Sequence, residues 1–85
     1  MPTKSVIVGS AVGLHARPAG IISEAAAELD SEVTIATPGG DPVDAGSALM
    51  IMTLGAGCGD TVEVSGDDQV AVDKIAALVE QDLDA

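Results

Sequence analysis

The chain has 85 residues, of which 47% are hydrophobic and none is Phe, Tyr or Trp, and fourteen acidic residues against three basic ones give a net charge of −11. This length allows one small domain, and the apolar fraction is too high for a disordered tail. So acidic a surface repels phosphate backbones and anionic headgroups. No Phe, Tyr or Trp is present to stack on bases, and we therefore expect no nucleic-acid partner.

The first half of the chain predicts a strand followed by a helix. Residues 4–8 are rich in β-branched side chains and end at a glycine, which indicates a strand. Pro18 favours a helix start nearby, because the first N–H groups of a helix have no carbonyl partner. His15 therefore falls at or beside the N-cap. Apolar residues then recur at helical spacing, at Ile21, Ile22, Ala25, Ala26 and Leu29.

The second half predicts three further strands and two helices. Residues 32–37 alternate in polarity, a Pro-Gly-Gly-Asp turn follows, and a short strand near residues 42–44 closes the hairpin. Ser47 is placed to cap a short helix over residues 48–54 that ends at Gly55. Residues 61–65 form a fourth strand. Asp67 and Asp68 open a last helix, whose apolar stripe consists of Val72, Ile75, Val79 and Leu83, with Leu78 beside it.

This order, β-α-β-β-α-β-α, predicts an α+β fold. Two layers accommodate it, with a four-stranded antiparallel sheet covered on one face by three helices. The strands alternate polar with apolar residues, which is typical of a sheet whose second face meets water. We expect residues 1–85 to form a single domain.

His15 and Arg17 are the residues best suited to chemistry. They are the sole histidine and the sole arginine of the chain. A helix start presents unpaired N–H groups and the positive end of the helix dipole. Here those groups come from Ala16 and Arg17, because Pro18 has no N–H to donate. The planar guanidinium of Arg17 can hold two phosphate oxygens. This pattern predicts a site at which His15 carries a phosphoryl group; the alternative is an ordinary capping or surface histidine.

Other features favour a cytoplasmic protein without a metal or a membrane anchor. No second histidine, cysteine or acidic residue stands at metal-ligand spacing from His15. Cys58 is the single cysteine and cannot form an internal disulfide, which fits a reducing compartment. We expect its thiol to be inert, because no basic residue is near it in sequence. The N-terminal segment has no apolar signal core, and the charge-free run at residues 45–59 is too short to cross a bilayer.

The stretch around His15 carries a family resemblance. Residues 13–19 read Gly-Leu-His-Ala-Arg-Pro-Ala, which resembles the active-site signature of the histidine-containing phosphocarrier proteins (HPr) of the phosphoenolpyruvate-dependent sugar phosphotransferase system. Residues 47–55 resemble that family's serine-led helix and its closing Leu-Gly, and the resemblance extends over essentially the whole chain. It implies an open-faced β-sandwich with strand order 1-4-2-3.

The resemblance also implies a function. His15 would take a phosphoryl group from phospho-enzyme I on Nδ1 and pass it to sugar-specific permease A domains, while Arg17 helps to hold and release it. Such a protein is a carrier in a relay rather than an enzyme, needs no cofactor, and is expected to be a monomer.

The segment that starts at Ser47 carries two further expectations. In Gram-positive relatives the matching serine is phosphorylated by an ATP-dependent kinase, which implies a regulatory site at Ser47 and a serine kinase as a partner; the alternative is a helix cap alone. Asp44-Ala45-Gly46 precedes Ser47 with no Lys or Arg nearby, which departs from the family pattern. The resemblance also implies a docking patch for donor and acceptor, formed by Ala48, Leu49 and Met52. In the alternative interpretation, Met50, Ile51 and Leu54 fill the core and the other residues of the helix are incidental.

Charge is a second departure from the family pattern. Relatives often place lysines around the histidine, whereas here Glu24 lies on the first helix and Arg17 is the one base nearby. Partner surfaces are therefore expected to be less acidic, or to carry added bases.

Two rival classes remain open on the sequence. An acyl carrier protein is also small, acidic and cytosolic, with a prosthetic group on a serine at a helix start, but it is all helical and has an acidic residue directly before that serine. A regulatory relative without phosphotransfer typically lacks a residue corresponding to His15.

Overall fold

The computed structural model describes residues 2–11 and 13–81. Its strands are β1 (Thr3–Ile7), β2 (Val33–Ala36), β3 (Val43–Asp44) and β4 (Thr61–Gly66), and its helices are α1 (Ala16–Ala27), α2 (Ala48–Thr53) and α3 (Gln69–Glu80). The strands form one sheet in the order β1-β4-β2-β3, and each neighbouring pair is antiparallel. The predicted α+β fold and the strand order 1-4-2-3 are confirmed. The sheet also rules out an acyl carrier protein, because that class is all helical.

Alternation along the strands decides which face of the sheet the helices cover. Val6 pairs with Val62, and Ile35 pairs with Val64. All four are buried against the helices. On the other face, the hydroxyl oxygens of Thr3 and Ser65 lie 3.0 Å apart at the surface. The result is an open-faced sandwich whose exposed face is mainly polar, with Ile7 as an apolar exception.

The core between sheet and helices is built from aliphatic side chains. Each helix contributes one fully buried isoleucine: Ile22 from α1, Ile51 from α2 and Ile75 from α3. Burying a side chain of this size contributes about 1.5–3 kcal/mol. The predicted stripe of α1 is only partly confirmed, because Ile21 is half-buried while Pro18 is fully buried.

Local sequence sets both ends of α2 and the start of α3, as predicted. The Ser47 Oγ accepts a hydrogen bond from the Met50 N–H at 3.3 Å, and an Asp68 carboxylate oxygen accepts one from Val70 at 3.0 Å. Gly55 follows α2 with φ +65°, a conformation that costs glycine nothing. Leu83, predicted to continue the apolar stripe of α3, lies outside the described residues. Within those residues, no helix has the length and apolar character needed to cross a membrane.

Candidate functional site

His15 is the N-cap residue of α1, with φ −84° and ψ −168°. Its backbone is held on both sides: its N–H donates to the Gly13 carbonyl at 2.9 Å, and its carbonyl accepts from the Ala19 N–H at 2.9 Å. The imidazole itself is exposed and does not cap the helix. The main chain is therefore fixed while the ring stays available to a visiting protein.

The first turn of α1 provides the donors that an anion on His15 would need. Ala16 and Arg17 open the helix and are exposed, so their N–H groups have no carbonyl partner within it. Pro18 comes third, is buried and has no N–H. Among the described residues, the guanidinium of Arg17 takes part in no salt bridge. The salt bridge found in that part of the chain joins Lys4 and Asp73, with 3.9 Å between nitrogen and oxygen. The positive end of the helix dipole adds to this anion-binding character.

The loop before His15 rests on the loop that follows α2. The N–H of buried Leu14 donates to the Ala56 carbonyl at 2.9 Å. Gly13 has φ +78°, and a Cβ there would lie 2.7 Å from the Ala56 oxygen and 2.8 Å from the Gly57 Cα. Ala56 and Gly57 therefore form a platform beneath Gly13 and Leu14, the residues that lead into His15; we call it the histidine platform. The sequence does not predict this contact. Glycines on both sides of it indicate close packing, but they do not identify the packing partner.

The end of α3 supports the other stem of the same loop. The Gly9 N–H donates to the Val79 carbonyl at 3.0 Å, and the Ser10 Oγ donates to the Gln81 carbonyl at 3.4 Å. Ser10 is almost completely buried, and a Cβ on Gly9 would collide with the Glu80 carbonyl. Two separate elements thus fix the path of the chain into His15.

Short helix α2, which leads into the histidine platform, exposes apolar side chains. Of the residues predicted for docking, Leu49 and Met52 are 69% and 37% exposed, whereas Ala48 is half-buried against the core. Ile51 is buried, as the alternative interpretation expected, but that interpretation is wrong for Met50, which is 43% exposed. Helix α2 packs along α1, and its C-terminal end leads directly into the histidine platform.

Ser47 lies at the opposite end of α2. The six residues of this helix span about 9 Å, so Ser47 is separated from the histidine platform by the whole helix. The turn before it is acidic: an Asp44 carboxylate oxygen accepts from Gly46 at 2.8 Å, and the Asp44 carbonyl accepts from the Ser47 N–H at 3.1 Å. The cap predicted from the sequence is present; regulation at Ser47 stays a prediction.

Removing the Ser47 cap should measurably weaken the fold. Ser47→Ala leaves the Met50 N–H without its side-chain partner, and we expect the free energy of unfolding to fall by about 1 kcal/mol. Ser47→Asp keeps an acceptor at the helix start and should unfold close to the wild type. Thermal unfolding followed by circular dichroism compares the three proteins. Equal midpoints for wild type and Ser47→Ala would show that the 3.3 Å bond does not stabilise α2.

The charges of the described residues lie at the surface. Every acidic residue in residues 2–11 and 13–81 is exposed except Glu63, which is half-buried. Glu24 lies on the outward side of α1, two turns beyond Arg17. Cys58 is exposed in the turn that Gly57 closes by donating to an Asp60 carboxylate oxygen at 2.8 Å. No group of three or more metal-ligating side chains is found within these residues.

Comparison with known proteins identifies the family. The family profile described as PTS HPr component phosphorylation site matches residues 2–81. The phosphocarrier protein HPr of Streptomyces coelicolor is 40% identical over 87 residues, covering 99% of this chain and 94% of that protein. The crystal structure of HPr-C-His from Thermoanaerobacter tengcongensis has a TM-score of 0.87 at 27% identity, covering 100% of this chain and 98% of that one. For the phosphocarrier protein HPr of Bacillus anthracis the TM-score is 0.78 at 33% identity, with 92% and 95% covered.

These matches, together with an exposed histidine at a helix start, define a phosphocarrier protein. Within that class, the chain belongs to the HPr family of the phosphotransferase system.

Proposed function

We propose that His15 accepts a phosphoryl group on Nδ1 from phospho-enzyme I and donates it to the A domains of sugar-specific permeases. The observation that carries this proposal is the exposed imidazole at the start of α1, in a chain of the HPr family. The chain then acts in the cytoplasm as a monomeric carrier over residues 1–85, and it needs no cofactor because the phosphoryl group is already activated on the donor.

The transfer is a displacement at phosphorus. The lone pair of the unprotonated ring nitrogen of His15 attacks the phosphorus atom, a new N–P bond forms, and the bond from phosphorus to the donor nitrogen breaks with its electron pair left on the donor. Negative charge is spread over the three other phosphoryl oxygens during this step. The N–H groups of Ala16 and Arg17 and the Arg17 guanidinium are the groups that would stabilise this charge.

The same groups explain why the phosphoryl group remains transferable. These N–H and guanidinium groups would bind the oxygens of the phosphoryl group rather than the N–P bond. They therefore hold the phosphoryl group in position without strengthening the bond that must later break. Both the incoming and the outgoing step pass through similar charge distributions, so one set of donors serves both. Solvent exposure of His15 allows donor and acceptor to reach it in turn.

We assign the docking of both partners to the surface formed by Leu49, Met52 and the partly buried Ala48. Leu49 and Met52 are exposed on α2, whose C-terminal end leads into the histidine platform, and apolar contacts of this kind tolerate several partners. Regulation at Ser47 by a serine kinase is a further proposal from the family resemblance. A phosphate there would meet the acidic turn at Asp44, so the kinase would have to supply the cationic groups that the sequence around Ser47 lacks.

Incubation with phosphoenolpyruvate and enzyme I tests the proposal. Phosphorus NMR should show one new signal on the protein, and its alkali stability and acid lability should identify a phosphoramidate. Addition of a permease A domain should then discharge the signal. A protein that takes up no phosphate, or takes it up in an acid-stable linkage, would contradict the proposal.

A further inference from the structure

Ser10 places a hydroxyl group inside a core that is otherwise aliphatic. Among the described residues, 2–11 and 13–81, it is the one polar residue that is buried, with 1% of its surface exposed. Removing a hydroxyl from water costs free energy unless the group is hydrogen-bonded. The Ser10 Oγ donates to the carbonyl of Gln81 at 3.4 Å. The buried hydroxyl therefore connects the loop before His15 to the residue at which α3 ends.

The C-terminal end of α3 uses this loop as its cap. The last carbonyl groups of a helix have no N–H partner within the helix. Gln81 has already left helical backbone, with φ −78° and ψ 151°. The Gly9 N–H donates to the Val79 carbonyl at 3.0 Å, and the Ser10 hydroxyl donates to the Gln81 carbonyl. A side chain supplies the second of these bonds, so a substitution can remove it without altering the main chain.

Hydrogen bonds continue from Ser10 to the phosphorylated residue. The Ser10 carbonyl accepts from the Gly13 N–H at 2.9 Å, and the Gly13 carbonyl accepts from the His15 N–H at 2.9 Å. Together with the bond to Gln81, these contacts form an unbroken path from the end of α3 to the N-cap of α1. The path reaches the backbone of His15 and not its imidazole. Ser10 can therefore affect where the ring is held, but not the chemistry of the ring itself.

We propose that Ser10 is a positioning residue for phosphoryl transfer, whose hydroxyl holds the loop before His15 against the end of α3. This inference rests on the proposed function, since it assumes that His15 accepts the phosphoryl group. Without the hydroxyl, the loop moves relative to α3, and small misplacements of reacting groups slow a transfer considerably. Leu49 and Met52 on α2 lie outside this path, so the binding of the donor should not change.

Two substitutions at Ser10 and one matched control test the assignment. Ser10→Ala removes the hydroxyl and leaves its space empty, whereas Ser10→Cys fills the space with a thiol, which is a weak donor. The control is Ser23→Ala. The Ser23 Oγ donates to the Gly20 carbonyl at 3.0 Å within α1, so this variant also loses a bond from a side chain to the main chain, but one that is not part of the path.

We expect the two Ser10 variants to bind the donor normally and to transfer slowly. With phospho-enzyme I, well below the melting temperature, kcat should fall at least about fivefold while KM stays within twofold of the wild type. Both variants should still reach full phosphorylation. Hydrogen exchange at the Gly13 and His15 amides should become faster, because these amides open with the loop. Ser23→Ala should keep kcat within twofold and leave exchange at Gly13 unchanged.

The outcomes that overturn the assignment differ from those that overturn the proposed function. Wild-type kcat in Ser10→Ala would show that the hydroxyl is not needed, and a loss in Ser10→Ala but not in Ser10→Cys would show that only the filled space matters. A rise in KM alone, or an equal loss of kcat in Ser23→Ala, would also contradict the role of Ser10. If Ser10→Ala does not fold, Ser10→Cys decides. Failure of the wild-type protein to take up phosphate would overturn the proposed function, and this inference with it.

Discussion

His15→Ala should abolish phosphoryl uptake from phosphoenolpyruvate and enzyme I. The substitution removes the proposed acceptor nitrogen, and no second histidine exists in the chain to replace it. The effect should be complete rather than partial, since the remaining groups of the site, Ala16 and Arg17, can only bind phosphate and not form the bond. Phosphorus NMR and intact mass should both show an unmodified protein after prolonged incubation.

The fold should be unaffected by this change. The imidazole is exposed and does not cap α1, so alanine removes no hydrogen bond that the helix start uses. A surface substitution of this kind changes stability by no more than about 0.5 kcal/mol. An unchanged melting curve therefore separates loss of chemistry from loss of structure. A phosphoryl signal that persists in His15→Ala would place the acceptor elsewhere and contradict the proposed relay.

Gly13→Ala should strongly destabilise the segment that leads directly into His15. Two costs combine there: about 1–2 kcal/mol for a non-glycine residue at φ +78°, and about 1–3 kcal/mol for forcing a methyl group against Ala56 and Gly57. We expect stability to fall by about 3 kcal/mol and the melting temperature by roughly 12 °C or more. Transfer should also slow in the protein that remains folded, because the loop before His15 must move off its platform.

Gly39→Ala is the matched control for Gly13→Ala. Gly39 has φ +77° in the hairpin between β2 and β3, but a Cβ there meets nothing within 4 Å. It should therefore show the conformational cost alone, about 1–2 kcal/mol, with transfer unchanged. If the two variants lost the same stability, the close approach of Gly13 to the platform would not be important, and the support for His15 would have to come from elsewhere.

Local signals in the sequence predicted much of this structure. Pro18 and the apolar spacing after it placed His15 at a helix start, and His15 is the N-cap. Ser47 predicted a cap, and its Oγ accepts from Met50. The strand order came from the family resemblance, since alternation reveals which strands exist but not which of them are neighbours. The roles of His15, Arg17 and Ser47 remain predictions that the experiments above address.

What the sequence could not provide depends on contacts between distant segments. The Leu14 N–H donates to the carbonyl of Ala56, which is far along the chain, and neither residue type indicates which segment it contacts. Met50 was assigned to the core in one interpretation because six-residue α2 is too short for periodicity to separate its faces; the structure exposes Met50 and buries Ile51.

The acidic surface makes the folded state sensitive to the medium around it. The protein carries a net charge of −11 and has a Cα radius of gyration of 10.9 Å. That radius is comparable to the electrostatic screening length, which is about 8 Å at physiological ionic strength. Mutual repulsion of the carboxylates opposes compaction, and a dense cloud of counterions relieves it. Dissolved salt therefore favours this fold, in contrast to proteins held together by exposed ion pairs, which it weakens.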